Sequence, residues 1–173
     1  MPHSPLIDRL GPLLAAPDER PSNGVKTLHV ETVVPAPIET AFAFFSDAAN
    51  LQRLTPPWLN FRILTPLPIA MHAGAIIDYR IGLYGLPVPW RTRIDAWEPG
   101  LMFVDRQIIG PYRWWHHQHW FAAVDGGTRV IDHVEYVPRA RWLSAGLVAR
   151  DVQRIFEYRQ QVLGTLLSEG SAS

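Results

Sequence analysis

The sequence predicts an α+β domain: a curled antiparallel sheet of seven strands wrapped around a long C-terminal helix, with two short helices after the first strand. Three observations carry this. From residue 61 to residue 137, six stretches alternate apolar and polar residues, separated by turn signals at hairpin spacing. The two helical stretches directly after the first strand are followed only by strands, so they are not a βαβ crossover. The chain closes in an amphipathic stretch long enough to lie across such a meander. A meander of that length must curl to bury one face, and a helix on its concave side completes two layers. The space between sheet and helix is where a ligand would go.

Taken in order, Thr27 to Val34 is rich in β-branched residues and puts Leu28, Val30, Thr32 and Val34 on one face. Pro35-Ala36-Pro37 stops it, and Pro37 suits a first helical turn. Ile38 to Phe45 gathers Ala41, Phe42 and Phe45 on one helical side. Ser46 or Asp47 can cap a second short helix over 47–54, which Pro56-Pro57 ends. Phe61 to Thr65 is a short strand, followed by a loop over 66–74. Ala75 to Leu83 sets Ile77, Tyr79 and Ile81 against Asp78 and Arg80. Val88 to Glu98 sets Trp90, Thr92 and Ile94 against Arg91, Arg93 and Asp95, a solvated face. After Pro99-Gly100, Leu101 to Ile109 aligns Phe103, Asp105, Gln107 and Ile109. Asp125-Gly126-Gly127 is the hairpin into Thr128 to Val137, which aligns Val130, Asp132, Val134 and Tyr136. Asp151 to Leu167 carries the helical stripe Val152, Ile155, Phe156, Val162, Leu163 and Leu166. Arg141 to Arg150 reads as a loop with a helical turn, its apolar stretch 141–147 as a lid over the cavity entrance.

The organisation is one domain over residues 25–169, with residues 1–24 as a flexible proline-rich arm and 170–173 as a tail. Net charge is zero, which favours neither nucleic acid nor an anionic membrane as a partner. The chain has no cysteine, which excludes disulfides and thiolate chemistry. Lys26 is its only lysine and lies at the start of the fold, which excludes Schiff-base chemistry on a cavity lysine. No apolar run approaches the roughly 18 residues that span a bilayer. The reading is a cytoplasmic protein without stable membrane insertion.

The chemistry concentrates in Gly110 to Phe121, GPYRWWHHQHWF, which packs three tryptophans and three histidines into twelve residues. With a strand's period of two, Trp115, His117, His119 and Phe121 share one face and Trp114, His116, Gln118 and Trp120 the other. Hairpin pairing can then place Asp105 and Gln107 on one flank of the histidines, and Asp132 and Tyr136 on the other. A band of carboxylate, amide, imidazole and phenol inside an apolar pocket must find partners among itself, water or a ligand, because burying such groups unpaired is costly. Three readings compete: a satisfied network that fixes strand register, recognition of a ligand's carbonyl or hydroxyl, or acid–base catalysis by a His–Asp pair. A metal site is disfavoured, since ligands at i and i+2 on one strand need a third at the right height.

These residues resemble the START-like, or SRPBCC, superfamily with its helix-grip fold, a group that includes polyketide cyclases/dehydrases and coenzyme-Q-binding proteins. The match runs through Thr55-Pro56-Pro57, the stretch from Phe61 to Gly74, Asp78-Tyr79, Pro87-x-x-Trp90-x-Thr92-x-Ile94 and Phe103-x-Asp105-x-Gln107. It continues in Gly110-Pro111-Tyr112, Trp115-x-His117-x-His119-x-Phe121, Asp132-x-x-x-Tyr136-x-Pro138 and Ile155-Phe156-x-Tyr158-Arg159, covering about residues 26–168. The local motifs are similar to a bacterial ligand-binding SRPBCC subgroup, some of whose members are fused to sugar-epimerase-like domains. The resemblance implies a cavity that binds a small hydrophobic or aromatic molecule, with no metal or other cofactor. Phe103, Tyr79, Trp90, Trp115 and Phe121 would be its walls and Gln107, His117, His119 and Tyr136 its polar contacts. The alternatives are a cyclase or dehydratase using His117 or His119 with Asp105 or Asp132, and a module for a protein partner such as an epimerase-like enzyme, met through an exposed Trp114/Trp120 face. Arg159 is left open between a cavity-side charge and a surface ion pair.

Overall fold

The computed structural model describes residues 5–139 and 145–170. In chain order the elements are α1 (Pro5–Leu14), β1 (Lys26–Val34), α2 (Ile38–Ser46), α3 (Leu51–Leu54), β2 (Arg62–Ile63), β3 (Ile76–Leu83), β4 (Leu86–Glu98), β5 (Met102–Ile109), β6 (Tyr112–Val124), β7 (Gly127–Pro138) and α4 (Ala145–Gly170). The seven strands form one antiparallel sheet in the order β1-β7-β6-β5-β4-β3-β2. The first strand therefore pairs with the last, and α2 and α3 bridge the two edges. Register shifts at Arg91/Thr92 and Ile94/Ala96 in β4, and at Tyr112/Trp114 in β6, bend the long strands into the curl. Among the described residues, no helix is long and apolar enough to cross a membrane.

The inner face of the sheet is filled in two apolar blocks. One joins Phe42 and Phe45 of α2 to Phe103, Phe121, Val130, Leu163 and Leu167. The other joins Phe61, Trp90, Trp115, Val134 and Tyr136 to Val152 and Phe156 of α4. The amphipathic spacing of α4 lets one helix serve both blocks.

The elements follow the sequence closely, and the differences have local causes. The second short helix is a 3-10 turn at Ala48–Asn50 followed by the single turn of α3. Asp47 caps it, accepting a hydrogen bond from the Ala49 N–H at 2.9 Å, while Ser46 Oγ donates back to Phe42 O. β2 is only two residues long because the N–H groups of Leu64 and Thr65 both turn to Asp78 O. The long helix starts at Ala145, within the stretch expected as a loop. Of the expected lid over 141–147, residues 141–144 lie outside the described residues, and Gly146 and Leu147 belong to α4.

The proline-rich segment expected as a free arm over 1–24 is, in its described part, laid against the outer face of the sheet. Ile7 and Gly11 of α1 are buried. A Cβ at Gly11 would sit 3.1 Å from Ile109 Cδ1, so the absence of a side chain lets α1 approach β5 closely. Ala15 bridges to Ile109, Ala16 N–H donates to Ile108 O, and Gly110 N–H donates to Leu14 O. Farther along, Arg106 donates to Pro17 O at 3.2 Å and Arg20 forks onto the Glu135 carboxylate at 2.7 and 3.0 Å.

Candidate functional site

Strand register brings the polar band together. Asp105 of β5 pairs with His117 of β6, and His119 of β6 pairs with Asp132 of β7. Three neighbouring strands thus deliver two imidazoles and two carboxylates to one level of the inner face. Four nitrogen–oxygen contacts close a ring. His117 Nε2 lies 3.0 Å from Asp132 Oδ1, and His117 Nδ1 lies 3.4 Å from Asp105 Oδ2. His119 Nε2 lies 3.1 Å from Asp105 Oδ2, and His119 Nδ1 lies 2.8 Å from Asp132 Oδ1. The last contact is short but out of line, so His119 Nδ1 makes no hydrogen bond despite its burial.

The surroundings fix the rings. The imidazoles lie 3.8 Å apart between centroids, and Phe103 stacks on His119 at 4.2 Å. Phe156 meets His117 edge-on at 5.4 Å. His119 thus leans on one apolar block and His117 on the other. Arg159 settles its two sequence readings in favour of the inner side: it is 8% exposed, its guanidinium is 3.7 Å from Asp132 Oδ1, and it lies over the rings of Phe45 and Phe156.

Burial and charge oppose each other here. Burial, and then the neighbouring His119, push the His117 imidazole down to about 4, against the pull of Asp105 and Asp132. Burial disfavours the Asp132 carboxylate, yet Arg159 and the two imidazoles outweigh it and hold Asp132 well below the usual carboxylate range. Asp105 behaves likewise, with burial opposed by His117, His119 and Arg159. Burial, reinforced by Asp105, raises the Tyr79 phenol well above its ordinary value.

Beside this group lies a cavity of about 170 Å³ between the sheet, α2, α3 and α4. Of the residues singled out from sequence, Tyr79, Trp90, Phe103, Asp105, Trp115, His117 and His119 line it. Tyr79 Oη and Trp90 Nε1 both bond Thr92 Oγ1 at 3.0 Å, which locks two of the walls. Four other residues have different positions. Asp132 stands behind the imidazoles, Phe121 packs in the block under α2, and Tyr136 packs in the other block. Gln107 is fully buried and spends its amide on the β5–β6 turn, donating to Tyr112 O at 2.7 Å and accepting from Tyr112 N–H at 3.2 Å.

Phe45, Leu51, Phe61, Thr92, Phe156 and Arg159 are among the other residues of the lining. Thr92 shared a strand face with Trp90 and Phe156 a helical stripe, so their positions were legible though their role was not. The outer face needs a correction. Trp114, expected as half of an exposed partner surface, is 5% exposed, stacked on His116 and covered by Arg106, while Trp120 is 38% exposed. Arg91, expected in solvent, forks onto the buried Asp78 at 2.6 and 2.7 Å.

Comparisons with known proteins agree with this architecture. Residues 34–161 match the family described as polyketide cyclase / dehydrase and lipid transport. No curated protein matches the chain. The solved Zhui aromatase/cyclase from Streptomyces sp. R1128 is similar with a TM-score of 0.67 at 14% identity, covering 83% of this chain and 94% of that one. The protein TTHA0849 from Thermus thermophilus gives a TM-score of 0.66 at 17% identity, covering 84% and 99%. A segment of a nucleoside-diphosphate sugar epimerase from Corynebacterium glutamicum gives 0.58 at 25% identity, covering 79% of this chain and 28% of that longer one.

Proposed function

The chain belongs to the polyketide cyclase / dehydrase and lipid transport family, and on that premise we propose that it binds a small hydrophobic or aromatic molecule in the cavity between sheet and α4. The observation that carries this is the cavity's asymmetry: Tyr79, Trp90, Phe103, Trp115 and Phe156 form aromatic walls, and Asp105, His117 and His119 form one polar corner. An apolar ring gains burial against the walls, and its hydroxyl or carbonyl meets the corner. The test is titration with 2-naphthol followed by tryptophan fluorescence, since Trp90 and Trp115 line the space. Saturable single-site quenching that the cavity-filling Leu51→Trp abolishes is the expected result. Wild-type quenching that is unsaturable, or unchanged by Leu51→Trp, rejects the reading.

A cyclase- or dehydratase-type reaction is favoured by one further observation: each cavity imidazole touches a carboxylate. His117 or His119 would act as general base, oriented by Asp132 or Asp105. The similarity to an aromatase/cyclase supports the same reading. A bound ligand recovered chemically unchanged after long incubation at saturating protein counts against it. A third reading, a module that partners an epimerase-like enzyme, draws support from the similarity to a segment of a sugar epimerase. A strictly monomeric protein that captures no such enzyme in a pull-down speaks against it.

A further inference from the structure

The ring of two imidazoles and two carboxylates has a proton deficit. It contains four nitrogen–oxygen contacts of 2.8–3.4 Å. Two neutral imidazoles carry one N–H each, so only two of the four contacts can hold a proton. The other two set a nitrogen lone pair against a carboxylate oxygen in a buried site. Charge tells the same story. With both imidazoles neutral, Asp105 and Asp132 face, among the described residues, one guanidinium, that of Arg159, which leaves one buried negative charge without its counterpart. The group needs a cation.

Geometry shows where. If His117 turns its N–H to Asp132 Oδ1 and His119 carries its proton on Nδ1, unbonded but 2.8 Å from the same oxygen, the remaining lone pairs are on His117 Nδ1 and His119 Nε2, the two nitrogens nearest Asp105 Oδ2. One donor atom from each of Asp105, His117 and His119 lies within 4.8 Å of the other two. Asp105 Oδ2 is 3.4 Å from His117 Nδ1 and 3.1 Å from His119 Nε2. Metal–ligand bonds of about 2.0–2.2 Å arranged tetrahedrally require donor–donor edges of roughly 3.3 Å, so both edges are already near length. The same three residues line the cavity and Asp132 does not, which leaves a coordination position open toward a ligand or water. The objection raised from sequence, that two histidines at i and i+2 lack a third donor at the right height, is met by register, because Asp105 is the cross-strand partner of His117.

We propose that Asp105 Oδ2, His117 Nδ1 and His119 Nε2 bind a divalent first-row metal ion of the zinc class. Asp132 orients His117 from behind through its hydrogen bond to Nε2, and the cavity supplies the remaining ligand. A carboxylate accepting from the far nitrogen of a ligating imidazole, as Asp132 does from His117 Nε2, fixes tautomer and ring direction at such centres. With a dication bound, the charges of Asp105, Asp132 and Arg159 leave the centre at +1. An anionic oxygen, from hydroxide or from an enolate, phenolate or carboxylate ligand, neutralises it. The donor set of two imidazoles and one carboxylate with an open position suits zinc, cobalt or iron(II) rather than magnesium or calcium.

The test uses the full chain, stripped with EDTA and dialysed into metal-free buffer. It is titrated with Zn²⁺ by calorimetry and elemental analysis, and with Co²⁺ by visible absorption. One equivalent of Zn²⁺, a rise in Tm on its addition and the d–d absorption of a low-coordinate Co²⁺ site are expected. Asp105→Asn, His117→Gln and His119→Gln should each weaken Zn²⁺ by about 100-fold or more, and Asp132→Asn by ~10–100-fold. His72→Ala removes an exposed imidazole outside the cavity and should change nothing. Circular dichroism checks the fold of each variant. If a variant fails to fold, the wild-type stoichiometry and Co²⁺ spectrum decide. No saturable binding by the folded wild-type protein, or equal binding by Asp105→Asn and wild type, overturns the proposal and assigns the missing cation to a proton.

Discussion

The inner face of β6 presents Trp115, His117, His119 and Phe121, all 8% exposed or less, whereas on its outer face exposure climbs from 5% at Trp114 to 38% at Trp120. The two faces draw on the same kinds of residue and belong to one strand. What differs is the cover. The inner face is roofed by α2 and α4, elements with a periodic apolar stripe of their own. Among the described residues, the outer face is covered beside Trp114 by Arg106, which the N-terminal segment holds through Pro17 and Asp18. Alternation therefore tells which residues share a face, but burial depends on what the rest of the chain lays over that face.

The comparison can be broken most forcefully from the inside. Phe121→Ala should destabilise by about 4 kcal/mol in urea denaturation, because the ring meets Phe42, Phe45 and Phe103 and its loss leaves a cavity. Asp132→Asn, measured on metal-free protein, should cost about 3 kcal/mol, since it removes the counter-charge beside the buried Arg159 guanidinium and the charge that accepts from His117. On the outside, deletion of residues 1–24 should cost about 2 kcal/mol, chiefly the burial of Ile7. It should also red-shift tryptophan emission as Trp114 meets water. Trp114→Ala should then matter less in the truncated chain than in the full one, a non-additivity that measures the cover directly. Trp120→Ala should shift stability by less than about 1 kcal/mol. If Trp114→Ala is as mild as Trp120→Ala in the full chain, the N-terminal segment is no roof and the comparison fails.

The smallest expected effect is a pH dependence on the outer face. Burial works against the Asp95 carboxylate, but hydrogen bonds from Arg93 and Arg106 outweigh it and hold its pKa below the ordinary 3.8. A lowered folded-state value means that the stabilisation is complete above the unfolded-state value and disappears as pH falls through the folded one. The Tm difference between wild type and Asp95→Asn should therefore be constant from neutral pH down to about 5 and close below about 4.

Much of the fold was legible because each element signals itself locally. The residues named from spacing alone on α2, Ala41, Phe42 and Phe45, are its buried ones. The placement of Asp105 and Asp132 on opposite flanks of the histidines was legible too, since hairpin pairing leaves little freedom in register. Docking of the N-terminal segment was not, because its many prolines mask a helix whose contacts are with distant strands. Gln107 was placed on the correct strand and given the wrong occupation. A period of two cannot tell a side chain facing a cavity from one folded back onto its own turn. Arg159 lay on a helical stripe next to Phe156, and only its approach to Asp132 of β7 in the folded chain shows that the charge goes inward.

The turn that Gln107 holds links two positions in a way neither shows alone. Its amide closes the β5–β6 connection through the backbone of Tyr112. A Cβ at Gly110 would overlap Gln107 Oε1 and Cδ. The glycine is thus bound to the length of a side chain three residues upstream. In any redesign of this hairpin the two positions are coupled: a shorter residue at 107 removes the overlap at 110 but not the positive φ of Gly110, and it leaves the Tyr112 peptide to find other partners. A replacement at 107 is therefore judged by whether the Tyr112 backbone keeps its partners, and one at 110 by the backbone conformation as well as by the room that Gln107 leaves.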